Sequence, residues 1–180
     1  MDTYQKVQIF DNNELDTLKS VYSSLPSVTF FQYHNLFNVE YSVADRYIHP
    51  LNSLNEYVKQ ISNDNLEIHS SYFLKYTPGS FARLHPDHQS KLTVVTLLES
   101  NDLVGGDTIL SLPYKRRPRP ADQQCRRSGK ENKQPPYGQN IVQRVVTVED
   151  GQSLVYGNKL IHGVTEVEQG SRVVFVNWYR

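Results

Sequence analysis

The apolar positions of this chain change period about a third of the way along. Leu15, Leu18, Val21 and Tyr22 recur at steps of three and four, which marks one helical face, with Asn12 or Asn13 as a cap and Pro26 beyond the end. After Pro50, a residue favoured in a first turn, Leu51, Leu54, Tyr57 or Val58, and Ile61 repeat that spacing. The two helices are expected to pack on one sheet, so residues 1–65 read as a helical support region. From Leu66 onward the pattern is that of strands, at 66–76, 81–85, 92–98, 107–112, 141–148, 152–156, 164–167 and 171–179. Turn chemistry separates them at Thr77-Pro78-Gly79, Val104-Gly105-Gly106, Asp150-Gly151 and Gln169-Gly170. Short strands at this spacing indicate a mainly β sandwich or barrel. All 180 residues fit one domain around one core.

Residues 113–140 interrupt the rhythm with prolines, glutamines and charge and almost no apolar content, the composition of a basic flexible insertion. Between Lys115 and Lys133 eight basic residues stand against Asp122 and Glu131, a net +6. Because the whole chain is neutral, the remainder carries −6. The insertion is either plain disorder or a lid or docking arm. The first residues lack the basic start and apolar core of a signal peptide, and no apolar run is long enough to span a bilayer. A single cysteine, Cys125, excludes an intramolecular disulfide framework. The expectation is a cytoplasmic protein without membrane contact; its oligomeric state is left open.

The candidate chemistry lies in Tyr76-Thr-Pro-Gly79-Ser-Phe-Ala-Arg-Leu-His85-Pro-Asp87. His85 and Asp87 stand two residues apart in what reads as a strand, so their side chains share a face. One further imidazole would complete a 2-His-1-carboxylate triad, which holds ferrous iron on one side and leaves the other positions open. His162, in Lys159-Leu-Ile-His162-Gly163-Val, is available for this, and Arg172 follows ten residues later at the start of the apolar strand that ends near Trp178. The dipeptide alone is weak, since six histidines and ten aspartates give roughly 0.3 chance matches. The competing reading is a hydrogen-bonded pair at a strand end plus an unrelated loop histidine. His34, His49, His69 and His88 fall at no metal spacing.

Order and spacing strengthen the first reading. Tyr76-x-x-Gly79, His85-x-Asp87, Gly105-Gly106-Asp107-Thr108, His162-Gly163-Val164, then Arg172 with Trp178 six further on, occur in series. This series resembles the prolyl 4-hydroxylase-like branch of the 2-oxoglutarate and Fe(II)-dependent dioxygenases over residues 66–180. The resemblance implies a double-stranded β-helix, or jelly roll. It implies His85, Asp87 and His162 as iron ligands and Arg172 as a fork on the distal carboxylate of 2-oxoglutarate. Tyr76 and Thr96 match positions whose hydroxyls reach the cosubstrate, and Trp178, on the face of Arg172, matches a wall of the substrate pocket. The implied cofactors are Fe(II), 2-oxoglutarate and O2, with ascorbate as an accessory reductant, and no catalytic group beyond the metal ligands is required. Halogenating relatives replace the carboxylate with a small residue; Asp87 is retained, which implies hydroxylation. The implied substrate is a prolyl residue in a peptide or protein. Two alternatives stand beside it. One is a dioxygenase acting on a small molecule or a nucleic acid, although demethylating relatives usually carry a second arginine where this chain has Trp178. The other is a non-catalytic jelly-roll module that binds an acidic partner through the basic insertion.

Overall fold

The computed structural model describes residues 4–44, 52–62, 64–113 and 141–180. His49, Pro50, Cys125 and nearly all of the basic insertion lie outside them, and with the insertion lie both readings given for it.

Helix α1 (Asn12–Ser24) is capped by Asp11 rather than by Asn12 or Asn13. The Glu14 N–H donates to the Asp11 carboxylate at 2.8 Å, and the Asp11 N–H donates to the Glu14 carboxylate at 3.1 Å. This reciprocal pair satisfies two amides that the helix start leaves free. Helix α2 (Asn52–Ile61) buries Leu54 and Val58, as α1 buries Leu15 and Leu18. All four pack with Phe10, Phe73, Val94, Val173 and Phe175, so the helices cover one face of the sheet. None of the described helices is long and apolar enough to cross a membrane.

Residues 1–65 supply more than helical support, because they also form β1 (Tyr4–Gln8), β2 (Val28–Tyr33) and β3 (Leu36–Val43). The remaining strands are β4 (Ile68–Tyr76), β5 (Phe81–His85), β6 (Leu92–Gly105), β7 (Thr108–Pro113), β8 (Ile141–Val146), β9 (Gln152–Gly157), β10 (Ile161–Val164) and β11 (Val167–Tyr179). They pair antiparallel in the order β1-β9-β6-β11-β4-β3-β5-β10-β7-β8, with β2 on β3, and the sheet curls into a jelly roll. Strand β3 turns the corner of this curl. Leu36 and Phe37 pair with β5, whereas 40–43 pair with β4. Between these halves Asn38 adopts φ 53°, an irregularity that bends the strand. Its side-chain amide donates to the Gly79 carbonyl at 3.1 Å, which ties the bend to the β4–β5 turn.

Strand β11 differs from expectation in length. The Gln169-Gly170 pair, read as a turn, lies inside the strand, where Gly170 has φ 76° and the pairing with β6 shifts register. Glycine absorbs the irregularity and the strand continues. Alternation along β11 then sorts its residues: Arg172, Val174, Val176 and Trp178 line the interior cavity, while Val173, Phe175 and Tyr179 join the core beneath the helices.

Candidate metal and cosubstrate site

Strand β5 ends at His85, and Pro86, with no N–H to give a ladder, breaks the pairing. Asp87 therefore lies in the turn beyond the strand, not on its face as expected. The turn is held by Ser90, whose N–H and Oγ donate to the Asp87 carbonyl at 3.1 and 3.2 Å. His162, which the sequence leaves between the strands expected at 152–156 and 164–167, lies on β10 directly opposite His85, and the two rings are 4.5 Å apart. Gly163 makes that approach possible. A Cβ there would stand 2.8 Å from the Ala82 carbonyl oxygen, closer than real contacts allow.

The three side chains converge. His85 Nε2 and His162 Nε2 each stand 3.7 Å from an oxygen of Asp87, and one ligand atom from each residue lies within 4.8 Å of the others. Among the described residues this is the one set of three such groups able to hold a metal ion. Each histidine pairs its Nδ1 with a backbone carbonyl, Arg83 at 2.6 Å for His85 and Leu160 at 3.1 Å for His162. A carbonyl only accepts, so the proton sits on Nδ1 and each Nε2 keeps its lone pair for the site. Burial pushes the His162 imidazole below the usual histidine range, against the opposing pull of Asp87, which favours the neutral form a metal requires.

A second cluster lies deeper. Arg172 is 6% exposed, and its guanidinium donates to the Gly106 carbonyl and, at 3.3 and 3.4 Å, to Thr108 Oγ1. Gly106 has φ 65°, and a Cβ there would press on Val167 at 2.8 Å, so glycine is what allows its carbonyl to meet the guanidinium. Among the described residues no carboxylate forms an ion pair with Arg172, and its Nε has no partner. Burial lowers its affinity for its proton, while Tyr76 and Asp107 raise it. Tyr76 sits opposite Arg172 in the ladder, its ring 5.6 Å from the guanidinium carbon. Burial holds the Tyr76 phenol up at about 12, with Arg172 pulling the other way, so it is a neutral hydroxyl.

The triad, Arg172, Tyr76 and Trp178 line one cavity of about 480 Å³. Thr96, expected beside the cosubstrate, does not. It is fully buried and shares a 2.8 Å hydrogen bond with Ser153, while its strand neighbours Val95 and Leu97 take the cavity positions. Alternation forbids all three from facing the same way. Three residues have contacts that the sequence reading did not assign, although Thr108 stood in its motif series. Thr108 bonds Arg172. Thr93 donates to Asp87 Oδ2 at 2.8 Å. Tyr156 lies 4.6 Å from the His162 ring, and burial first, then the Asp87 charge and their hydrogen bond, hold its phenol well above its usual range. The outer wall is aromatic: Tyr72 meets Trp178 edge-on at 5.6 Å and stacks on Tyr41 at 5.1 Å, which lies 6.1 Å from Tyr33. His34, His69 and His88 line the same cavity without forming a ligand set.

The fold has counterparts among solved structures. The fold is that of the 2-oxoglutarate–Fe(II) oxygenases. An oxidoreductase of that family from Burkholderia pseudomallei matches with a TM-score of 0.71 at 14% identity, covering 98% of this chain and 84% of the other. HygX from Streptomyces hygroscopicus, with nickel, 2-oxoglutarate and hygromycin B bound, matches at 0.65 with 15% identity, covering 98% and 82%. The viral collagen prolyl hydroxylase of Paramecium bursaria Chlorella virus-1, a 2-oxoglutarate complex, matches at 0.58 with 15% identity, covering 98% and 95%. No protein-family model and no curated protein matches the sequence.

Proposed function

We propose that the protein is an Fe(II)- and 2-oxoglutarate-dependent dioxygenase. What carries this reading is a His85, Asp87 and His162 triad in one cavity with a buried guanidinium that has no carboxylate partner. The donor set, two neutral imidazoles and a carboxylate, is the one that suits ferrous iron with open positions. Iron and 2-oxoglutarate would supply the oxidising chemistry, in which one oxygen atom enters a C–H bond and the other ends in succinate, with release of carbon dioxide. The protein's part is orientation and exclusion. Arg172 receives the distal carboxylate of 2-oxoglutarate through its fork, and the neutral Tyr76 hydroxyl donates beside it. The apolar positions Val95, Leu97, Val174 and Val176 keep the cavity dry between the two ends.

The test is anaerobic addition of Fe(II) and 2-oxoglutarate, expected to give a visible charge-transfer band, followed by succinate formation on admission of O2. His85→Ala, Asp87→Ala and His162→Ala should each abolish turnover while keeping the fold. Succinate at the wild-type rate in any of them removes that residue from the metal site; a wild-type protein with no iron affinity ends the proposal.

For the substrate, the reading is a prolyl residue in a peptide or protein, hydroxylated on the ring. It rests on the motif series described above, on the likeness to a prolyl hydroxylase fold, and on the wall of Tyr33, Tyr41, Tyr72 and Trp178, since aromatic grooves suit the preformed extended helix of proline-rich segments. Mass spectrometry of proline-containing peptides after incubation should find an added oxygen on proline; oxygen on other residues only would refute the substrate and leave the chemistry standing. A small-molecule substrate is the second reading, favoured by the higher fold similarity to HygX.

A further inference from the structure

Among the described residues the sheet has two ends, β1 and β8, and a branch, β2, which pairs with β3 on one side and with no strand on the other. An unpaired edge offers a row of free N–H and C=O groups to any extended chain, and proteins blunt such edges with charge or proline. Strand β1 carries Lys6, whose ammonium donates to the Thr147 carbonyl at 3.0 Å, and β8 carries Arg144. Strand β2, Val-Thr-Phe-Phe-Gln-Tyr, has neither charge nor proline, and five of its six residues are exposed. Phe31, in mid-strand, is 81% exposed.

Two observations say which chain fits this edge. Strand β2 runs into the cavity, because it ends at Tyr33, and Tyr33, His34 and Asn35 line that cavity. The aromatic wall continues outward along the same strand, with Phe30 stacked on Tyr33 at 4.8 Å and 6.0 Å from Tyr41. A chain paired with β2 is thereby led past the wall toward the triad. The cavity also refuses charge. Histidines aside, its lining has charged side chains only at Asp87 and Arg172, which the reading above commits to iron and to 2-oxoglutarate. A charged residue entering beside the target would lose its water without gaining a partner.

We propose that the free edge of β2 is the docking strand for the substrate: an extended, uncharged peptide segment adds to it as one more strand, and the residue to be oxidised, farther along the same peptide, passes into the cavity. This inference rests on the peptide-hydroxylating dioxygenase reading and adds the place and mode of substrate binding. Main-chain hydrogen bonds supply the affinity in this mode, and the rings of β2 supply side-chain contact. Successive N–H groups of a strand point to opposite edges, so only alternate residues of the segment donate to β2.

The test is fluorescence anisotropy with a labelled, uncharged Thr/Val segment joined to a Gly-Pro-Gly target, added to the full chain with Fe(II) and 2-oxoglutarate under argon. The segment precedes the target in one peptide and follows it in another, and one of the two should bind. N-methylation of alternate residues should weaken that binding by about tenfold in one set and leave the other unchanged, the loss expected for one or two hydrogen bonds. Thr29→Lys combined with Phe31→Lys should weaken it as much; neither residue lines the cavity, so the 2-oxoglutarate titration stays at wild type. Phe31→Val, still uncharged, should keep the alternation. If the lysine variant fails to fold by circular dichroism, the methylated peptides decide alone. Equal effects of both methylated sets, or none, overturn the proposal. So does a wild-type protein that sediments as a dimer and that the lysine variant makes monomeric, which would give the edge to a second copy of the chain. A wild type with no charge-transfer band overturns the dioxygenase reading and this inference together, whereas a band with neither peptide bound overturns the inference alone.

Discussion

Replacing Gly163 by alanine should damage the candidate metal site without touching any of its side chains. The added Cβ would lie 2.8 Å from the Ala82 oxygen, 3.2 Å from the Leu84 nitrogen and 3.3 Å from the Arg83 carbonyl carbon. All three are backbone atoms of or beside β5, so no side chain can swing aside. Relief requires β10 to move off β5 by roughly 0.7 Å, which brings the shortest contact to about 3.5 Å, the near edge of ordinary van der Waals contact. That displacement carries His162, the neighbouring residue, away from His85 across the strand pair. Metal sites tolerate distances only within about 0.2 Å, so a shift of this size should weaken metal binding. Overpacking of this kind costs about 1–3 kcal/mol. For a chain of this length, 2 kcal/mol corresponds to a melting temperature lower by roughly 4–8 °C. Thermal unfolding followed by circular dichroism measures the first effect, and titration of the apoprotein with Ni(II) measures the second. An unchanged melting temperature with an unchanged titration would show that the strands have slack, and would refute the argument that glycine sets the histidine separation.

Arg172→Lys keeps the charge but loses the fork, so the affinity for 2-oxoglutarate should fall by about 1–3 kcal/mol; an unchanged 2-oxoglutarate titration for Arg172→Ala would exclude the clamp. Tyr76 has a phenol raised to about 12 in the fold against 10.0 when unfolded, so the folded state holds a proton that the unfolded chain releases between those values. Stability is therefore lost as pH rises from about 10 to 12, by up to about 3 kcal/mol from this group, and Tyr76→Phe should flatten that part of a chemical-denaturation pH profile. The apoprotein should also weaken in the acid direction, because His162 is depressed by burial and the unfolded chain takes up a proton first as pH falls below about 6.5; His162→Gln showing the same acid slope as wild type would remove that histidine as the cause.

The helices and most of the later strands were legible because each has one face against the core. The early strands were not. In β2 five of the six residues are exposed, so burial leaves no alternation for a period-two pattern to register. The misplacement of Thr96 has the opposite origin. Strand β6 is buried on both faces from Leu92 to Thr96, with only Val95 less than fully buried, and a strand apolar on both sides does not reveal which residues face which way. The triad was found through the order of its motifs, although the strand geometry assumed for Asp87 was not the one that holds it. Thr93 and Tyr156 carry no spacing signal of their own. Their role follows from where the turn after Pro86 delivers the carboxylate.

Strand β11 acts as a ruler. Arg172 and Trp178 face the same cavity from positions six residues apart on one strand, paired on both sides by β4 and β6. At the usual rise per residue their backbones are about 20 Å apart. The neighbouring ladders prevent that length from stretching. Deleting Val173 alone would exchange the faces of the residues that follow it, turning Phe175 and Tyr179 into the cavity and taking them out of the core under the helices in the same step. Variation in the size of what this cavity accepts must therefore come from its other walls. One of those walls is β3, which brings Leu36 and Tyr41 to the cavity from either side of the bend at Asn38.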